Sequence, residues 1–243
     1  MQVYQEIPVI TNQARARPAE MVGIVSVAEE WTVAHHKERA EATIKPLPSE
    51  VPFVLDAGTG MYLNAIILDI PLAPKVQPEL RAEAEKLVDG AVNFRREARK
   101  MELTLAGAHE RGSIWEGPLR YDITFLYLRP SRETLDRNIR MRSQKIVRDG
   151  AEEAKLLQES GIVPNPSVRE SIGLKEVLLH VSDETSADEA RQTIAARTRR
   201  LARRQIRWFD KLARSLPDTT STLVVETPQD PKIMHLMHDT MGE

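Results

Sequence analysis

The stretch "RYDITFLYLRPSRETLDRNIRMRSQKIVRDG" at residues 120–150 joins two patterns that together indicate an α/β fold. Its first part, "RYDITFLYL" (120–128), is rich in aromatic and β-branched residues, which favours a strand. Ser131 then stands where a helix N-cap is expected, ahead of a long amphipathic pattern that we expect to end near Gly150. A strand followed by a helix is typical of a parallel sheet with crossover helices.

Two earlier segments and one later segment repeat this pattern. The apolar run "MVGIVSV" (21–27) predicts a strand, and Thr32 is placed to cap a helix through about Ile44. The segment "PFVLDAGTGMYLNAIIL" (52–68) runs from an apolar stretch through a turn with two glycines into a helix-like pattern. The segment "STLVVE" (221–226) predicts a last strand.

The composition changes between Pro78 and about His109. Ala, Glu, Lys, Arg and Leu recur there at helical spacing, and no strand-like run interrupts them. We therefore expect an α/β core formed by residues 1–76 and 113–243, with a short helical insertion at residues 77–112.

The composition indicates a globular protein without disulfides or a membrane-spanning segment. The chain has 243 residues, of which 41% are hydrophobic, so it is long enough to bury a core. Its 34 Lys and Arg nearly balance 36 Asp and Glu. The lack of cysteine excludes disulfides and thiolate metal sites. The apolar run at 64–73 is too short to cross a membrane. We expect a cytoplasmic monomer that does not enter membranes and builds no metal site.

Against this neutral background, "ARTRRLARRQIRWFDKLAR" (196–214) is strongly basic, with Asp210 as its only acidic residue. If 191–214 is one helix, helical spacing gives a basic stripe and an apolar stripe. The basic stripe contains Arg197, Arg200, Arg204, Arg207, Lys211 and Arg214, and the apolar stripe contains Ile194, Leu201, Trp208 and Leu212.

The ordinary explanation for such a stripe is a solvated, salt-bridged face. Like charges at helical spacing cost about 0.2–0.5 kcal/mol per pair, and this stretch holds little acidic compensation. We therefore favour a polyanionic partner, which by charge alone is RNA, DNA or a nucleotide. For Trp208 we favour core packing over a stacking surface.

Several segments, taken in order, resemble motifs of the tRNA dimethylallyltransferase (tRNA isopentenyltransferase, or IPP transferase) family. The resemblance covers most of residues 1–214. The matching segments are "MQVY" (1–4), "AGTGMYL" (57–63), "LDRNIRMRSQKIVRDGAEEA" (135–154), "SIGLKE" (171–176) and "TRRLARRQIRWF" (198–209). Each segment alone is weakly specific, whereas five in the family's order are specific together.

The resemblance implies a P-loop kinase-like core that acts on tRNA. In this family a dimethylallyl group passes from dimethylallyl diphosphate to the exocyclic amine of the adenosine on the 3′ side of the anticodon. The base must leave its stack to react, and Mg²⁺, the P-loop and basic side chains hold the departing diphosphate. The partners implied are therefore the tRNA anticodon stem-loop and dimethylallyl diphosphate.

Functional residues follow from the same resemblance. Arg142 matches the diphosphate-binding arginine, although a surface charge on a helix is its ordinary explanation. Thr59 matches a position near the flipped adenosine. The positions that match tRNA-binding segments are Gln2, Thr59, Arg95, Arg96, Arg99, Gly173, Lys175, Arg203, Arg204, Gln205, Arg207 and Trp208.

The sequence also departs from the family pattern. It contains no Gly-x-x-x-x-Gly-Lys-Ser/Thr motif. The family's catalytic Asp would lie before the residue that aligns with Met1, so no catalytic residue is retained. We expect an enzyme of this family that is truncated, lacks the first strand and the P-loop, and is inactive or impaired as written. A non-catalytic tRNA-binding remnant is the alternative. A P-loop kinase-like phosphotransferase would share the fold without explaining the motif at 198–209.

Overall fold

A computed structural model describes residues 1–70, 72, 76–92, 94–108 and 113–241. Its elements in chain order are α1 (Pro8–Thr11), α2 (Val33–Ile44), α3 (Gly60–Ile67), α4 (Pro78–Leu87), α5 (Phe94–Leu105), β1 (Thr124–Leu128), α6 (Arg132–Glu159), α7 (Pro166–Arg169), α8 (Leu174–Val181), α9 (Ala187–Ser215), β2 (Ser221–Val225) and α10 (Pro231–Met241).

Strands β1 and β2 form a parallel pair. Their register runs from Thr124 opposite Ser221 to Leu128 opposite Val225. A parallel pair requires a long crossover connection, which here contains α6 to α9. The strands predicted at 120–128 and 221–226, and their parallel direction, are confirmed.

The strands predicted in the two earlier segments are wrong. Val25 forms only an isolated parallel bridge with Tyr4. Residues 51–57 form no regular structure, and Val54 is 86% exposed. An apolar β-branched run becomes a strand only when a neighbouring strand pairs with its backbone. Within the described ranges no such strand lies beside 51–57.

Both predicted helix caps are confirmed. The Thr32 hydroxyl accepts a hydrogen bond from the His35 amide at 3.2 Å and begins α2. The Ser131 hydroxyl accepts one from the Thr134 amide at 3.3 Å and begins α6. Each bond satisfies a backbone donor that the first helical turn leaves unpaired.

The predicted end of α6 at Gly150 is wrong, because the helix continues to Glu159. Gly150 is buried inside the helix, where a Cβ atom would lie 2.8 Å from Ile10 Cγ1. The glycine therefore provides a close approach between α6 and α1 and does not terminate the helix.

The chain divides into two compact units, and the first contains residues 1–60 and 122–243. Its main core gathers apolar side chains from the N-terminal segment, α1, α6, α7, α8 and α9. The fully buried members are Ile7, Ile10, Val27, Ile146, Val168, Leu174, Val177 and Ile194.

The second unit contains residues 61–121. Helices α4 and α5 pack together in it, and Leu68 forms an antiparallel bridge with Leu119. The buried Asn64 amide donates to the Ile114 carbonyl at 2.9 Å. The helices expected in the insertion at 77–112 are confirmed, while its assignment as a separate insertion stays a prediction. No helix among the described residues is long and apolar enough to cross a membrane.

Strand β1 is tied to α9 by a polar cluster. The Tyr127 hydroxyl donates to Asp210 at 3.2 Å, and the Arg129 guanidinium donates to the same carboxylate at 3.0 and 3.4 Å. The ring of Tyr127 contacts that of Phe209 at a centroid distance of 5.9 Å. Burial, followed by the nearby Asp210 charge, raises the pKa of Tyr127 to about 12.

This raised pKa predicts an alkaline loss of stability. The folded state favours the neutral phenol, so the contribution is complete below the ordinary pKa of about 10 and is lost as pH rises to about 12. We expect Tyr127→Phe to be less stable than wild type near pH 8, with the difference shrinking between pH 10 and pH 12. Urea unfolding followed by circular dichroism measures both curves. Tyr121→Phe is the control, and parallel curves for wild type and Tyr127→Phe would contradict the prediction.

Candidate functional site

The basic segment lies on a single helix, α9, as predicted. The helix begins at a capping box, in which the Ser186 hydroxyl accepts from the Glu189 amide at 3.2 Å and the Glu189 carboxylate accepts from the Ser186 amide at 2.9 Å. Two acidic residues in the first turn also suit the positive end of the helix dipole.

The buried face of α9 is wider than the predicted apolar stripe. Ile194 and Leu212 are buried as expected, whereas Leu201 and Trp208 are only half-buried. The residues that complete the buried face are Ala190, Ala195, Ala202 and Phe209. Ala195 and Ala202 pack against Ile139 of α6.

Two arginines of α9 pair with acids on other helices. Arg197 pairs with the buried carboxylate of Glu176 and donates to the Glu170 carbonyl at 2.6 Å. The guanidinium of Arg199 donates to Asp136 at 2.9 Å and is the first cause of the lowered pKa of that carboxyl. Assigning Arg197 to an open basic stripe is therefore wrong, because its charge compensates a buried acid.

Four further arginines of the helix point to solvent. Arg200, Arg203, Arg204 and Arg207 are exposed, and the structure gives their side chains neither ion pair nor hydrogen bond to any described residue. The single acid of this stretch, Asp210, is engaged by Arg129 and Tyr127. The exposed face of α9 therefore keeps its positive charge, as a surface for a polyanion requires.

The glycine turn at 57–60 lies against this helix. Gln205 Nε2 donates to the Gly58 carbonyl at 2.6 Å. The indole of Trp208 lies on Gly60, where a Cβ atom would be 2.0 Å from Trp208 Cδ1. Thr59 stands exposed between the two contacts. The structure thus joins two sequence motifs that are about 150 residues apart.

A second set of contacts holds the same turn from the N-terminal side. Arg15 donates to Asp56 and to Gln2 Oε1, both at 2.6 Å. Gln2 Nε2 in turn donates to the Asn12 carbonyl at 2.6 Å. Gln2 is therefore near the turn, with both ends of its amide occupied by protein groups.

Helix α6 holds the short helix α1 at both ends. Glu153 accepts from the amides of Val9 and Ile10 at 2.5 and 3.0 Å, and Arg142 donates to the Ile10 carbonyl at 3.0 Å. Burial lowers the pKa of the Arg142 guanidinium, which remains charged. Arg142 is thus a partly buried residue and not a surface charge, and its diphosphate-binding role stays a prediction.

A cavity of about 300 Å³ opens between α1 and α6. Its lining residues are Pro8, Val9, Asn12, Gln13, Ala14 and Lys145. The sequence did not single out Lys145 or Arg15. Lys145 could have been predicted, because a residue three positions after Arg142 on a helix lies on the same face. Arg15 could not have been predicted from local spacing, since its hydrogen-bond partners Gln2 and Asp56 lie 13 and 41 residues away in the sequence.

Gly173 and Lys175 begin α8. Gly173 is buried at φ +105°, and a Cβ atom there would lie 3.0 Å from Ile10 Cγ2. Its amide donates to Glu176 at 2.8 Å. Lys175 is exposed and pairs with Glu170 at 3.0 Å. The structure explains Gly173 by packing and backbone conformation, while RNA contacts of both residues stay predictions.

The second basic cluster lies on α5, in the second unit. Arg96 is exposed, whereas Arg99 pairs at 2.6 Å with the buried Glu102. The side chain of Arg95 lies outside the described part of the chain. Among described residues, no group of three or more His, Cys, Asp or Glu side chains could hold a metal ion.

Comparison with known proteins identifies the motifs. The model of the IPP transferase family matches residues 2–102 and 90–212. The tRNA dimethylallyltransferase of Rubrobacter xylanophilus is 56% identical over 248 residues, with 100% of this chain and 85% of the relative covered. The tRNA dimethylallyltransferase of Gluconacetobacter diazotrophicus is 30% identical, with 86% and 73% covered.

Solved structures share the fold. The full-length tRNA isopentenylpyrophosphate transferase of Bacillus halodurans superposes with a TM-score of 0.67 at 23% identity, covering 99% of this chain and 85% of that one. The corresponding transferase of Staphylococcus epidermidis gives the same TM-score at 20% identity, with 99% and 87% covered.

The division of the α9 arginines into paired and exposed ones predicts different effects on stability. Arg197→Ala leaves the Glu176 carboxylate buried without its cation, so we expect a loss of about 2 kcal/mol or more in the free energy of unfolding. Arg200→Ala, one turn away and exposed, should change it by less than about 0.5 kcal/mol. Urea unfolding of both variants measures the difference, and equal losses would contradict the assignment.

Proposed function

The chain belongs to the IPP transferase family, and from this premise we propose that it modifies tRNA as a prenyltransferase. It transfers a dimethylallyl group from dimethylallyl diphosphate to the exocyclic amine of the adenosine on the 3′ side of the anticodon. The observation that carries this proposal is the contact of the glycine turn with α9, next to four exposed arginines.

The exposed arginines suit the phosphates of the RNA. Guanidinium groups bind phosphate oxygens in a bidentate manner and release counterions when they do so. Arg203, Arg204 and Arg207 occupy the part of α9 that also carries Gln205 and Trp208, so RNA bound there lies near Thr59. Thr59 is exposed, as a position that meets an unstacked base requires.

The reaction is a displacement at the allylic carbon. The lone pair of the amine nitrogen forms the new C–N bond as the C–O bond to diphosphate breaks. Diphosphate leaves with the electron pair of the C–O bond, and the nitrogen releases a proton to solvent water. Cations near the diphosphate favour this step because negative charge grows on the leaving group. We propose two cations of α6 for this role, namely Arg142, which donates to the Ile10 carbonyl of α1, and Lys145, which lines the cavity between α1 and α6.

Other features of the proposal rest on the resemblance. Mg²⁺ is commonly held by substrate phosphates together with one or two carboxylates, and we assign it no protein ligand here. The P-loop kinase-like character of the core, the monomeric state and the cytoplasmic location stay predictions.

Prenyl transfer is tested directly. Labelled dimethylallyl diphosphate is incubated with this chain and an anticodon stem-loop RNA, and we expect label in the RNA at the adenosine 3′ to the anticodon. An RNA with guanosine at that position is the control and should remain unlabelled. Retention of the RNA without transfer would favour the alternative of a tRNA-binding protein without chemistry.

RNA binding by α9 has a separate test. We expect the double variant Arg203→Gln, Arg204→Gln to bind the stem-loop more weakly and to lower the slope of log K against log salt by about 1.5, since each phosphate contact contributes about 0.7–0.9. Arg17→Gln, Arg39→Gln removes the same charge at exposed positions outside α9. The proposal fails if both double variants give the wild-type slope.

A further inference from the structure

We propose that Gln205 and Trp208 are positioning residues that fix the glycine turn at 57–60 on α9, so that Thr59 keeps a constant position relative to the RNA-binding arginines. The structural part of this inference concerns the protein alone, and the part about RNA rests on the proposed function. It differs from the expectation that both side chains contact tRNA.

The donor of Gln205 is engaged by the protein. Its Nε2 atom gives a hydrogen bond of 2.6 Å to the Gly58 carbonyl, and the side chain is half-buried. A carbonyl in an exposed turn has no partner in regular secondary structure, so a hydrogen bond from a side chain restrains its orientation. Gln205 therefore orients the peptide that joins Gly58 to Thr59.

Trp208 holds the other end of the turn by contact. Gly60 is buried, and a Cβ atom on it would lie 2.0, 2.1 and 2.5 Å from Cδ1, Nε1 and Cγ of the indole. Only a residue without a side chain allows the ring to lie on the backbone at this distance. The close packing of an aromatic ring on the glycine backbone leaves the turn little room to shift.

The turn is also held at its beginning. Asp56 accepts a hydrogen bond of 2.6 Å from Arg15, whose guanidinium also donates to Gln2. Contacts at residues 56, 58 and 60 therefore restrain the segment on both sides of the exposed Thr59.

Neighbouring residues of α9 thus have two different roles, RNA binding and positioning of the turn. Arg204 and Arg207 are exposed to a polyanion, while Gln205 and Trp208, which follow them directly in sequence, contact the turn. Loss of a phosphate contact weakens RNA binding and its salt dependence. Loss of a positioning contact misplaces the reacting groups and lowers the rate of the bound complex.

The first experiment compares Gln205→Leu with Gln192→Leu, an exposed glutamine on the same helix. Chymotryptic cleavage within residues 53–62, located by mass spectrometry, reports opening of the turn. We expect Gln205→Leu to raise the cleavage rate about five-fold, which corresponds to about 1 kcal/mol for one hydrogen bond. Gln192→Leu should cleave at the wild-type rate.

Kinetics distinguishes the two roles. For prenyl transfer we expect Gln205→Leu to lower kcat about ten-fold with KM for RNA within about two-fold of wild type. Arg204→Gln should raise KM and flatten its salt dependence without changing the cleavage rate of the turn. If wild type transfers no prenyl group, the proposed function fails, while the cleavage rates still test the positioning contacts.

The second experiment is a double-mutant cycle on the Trp208 contact. Gly60→Ala requires the indole to move, so it should raise turn cleavage by more than Gly58→Ala, whose Cβ would meet only the flexible end of Gln205 at 3.2 Å. Trp208→Leu removes the obstructing ring, and the double variant should therefore cleave more slowly than the product of the two single effects predicts.

The proposal is overturned by either of two results. One is that Gln205→Leu weakens RNA binding or lowers its salt slope while turn cleavage stays at the wild-type rate, which would make Gln205 a direct RNA contact. The other is that the effects of Gly60→Ala and Trp208→Leu on cleavage simply multiply.

Discussion

The buried carboxylate of Glu176 fixes the position of α9, on which the functional surface depends. Glu176 caps α8 through the Gly173 amide and pairs with Arg197. An acid with 4% exposure is tolerated only when such donors compensate its charge. The Arg197–Glu176 pair therefore helps to set how α9 is rotated about its own axis and where it lies along α8. That orientation decides which arginines of α9 face solvent.

Whether an arginine of α9 keeps its charge uncompensated thus depends on the acids that surround it in the fold and not on its spacing in the sequence. Arg197 and Arg199 join the helix to α8 and α6 through acids, and Asp210 joins it to β1 through Arg129 and Tyr127. These contacts use the acids near the helix, so Arg203, Arg204 and Arg207 keep their charge in a chain with nearly balanced composition. A basic surface can therefore coexist with overall neutrality.

The sequence predicted those parts of the fold and site that local interactions determine. The caps at Thr32 and Ser131 and the strands at 120–128 and 221–226 follow from short-range rules. The run at 21–27 became only a bridge at Val25, because strand formation depends on a neighbour that periodicity does not reveal. The helical pattern likewise could not reveal that Arg197 meets an acid on α8 or that Gly150 accommodates Ile10.

The motifs of the sequence gain a physical meaning once they lie together. Taken by themselves in the sequence, Gly58 and Gly60 indicate a strand-to-helix turn, and Gln205 and Trp208 indicate part of an RNA-binding segment. In the structure each pair requires the other. The indole of Trp208 fits only over a residue without a Cβ atom, which Gly60 provides. Glycine restricts the backbone least, so the turn needs the contacts from Gln205 and Trp208 to hold its conformation. An enzyme that transfers a group to one base must keep the reacting base at a set distance from the phosphates that hold the RNA. If the exposed arginines of α9 hold the RNA as we propose, a turn fixed directly on that helix sets this distance through a single element.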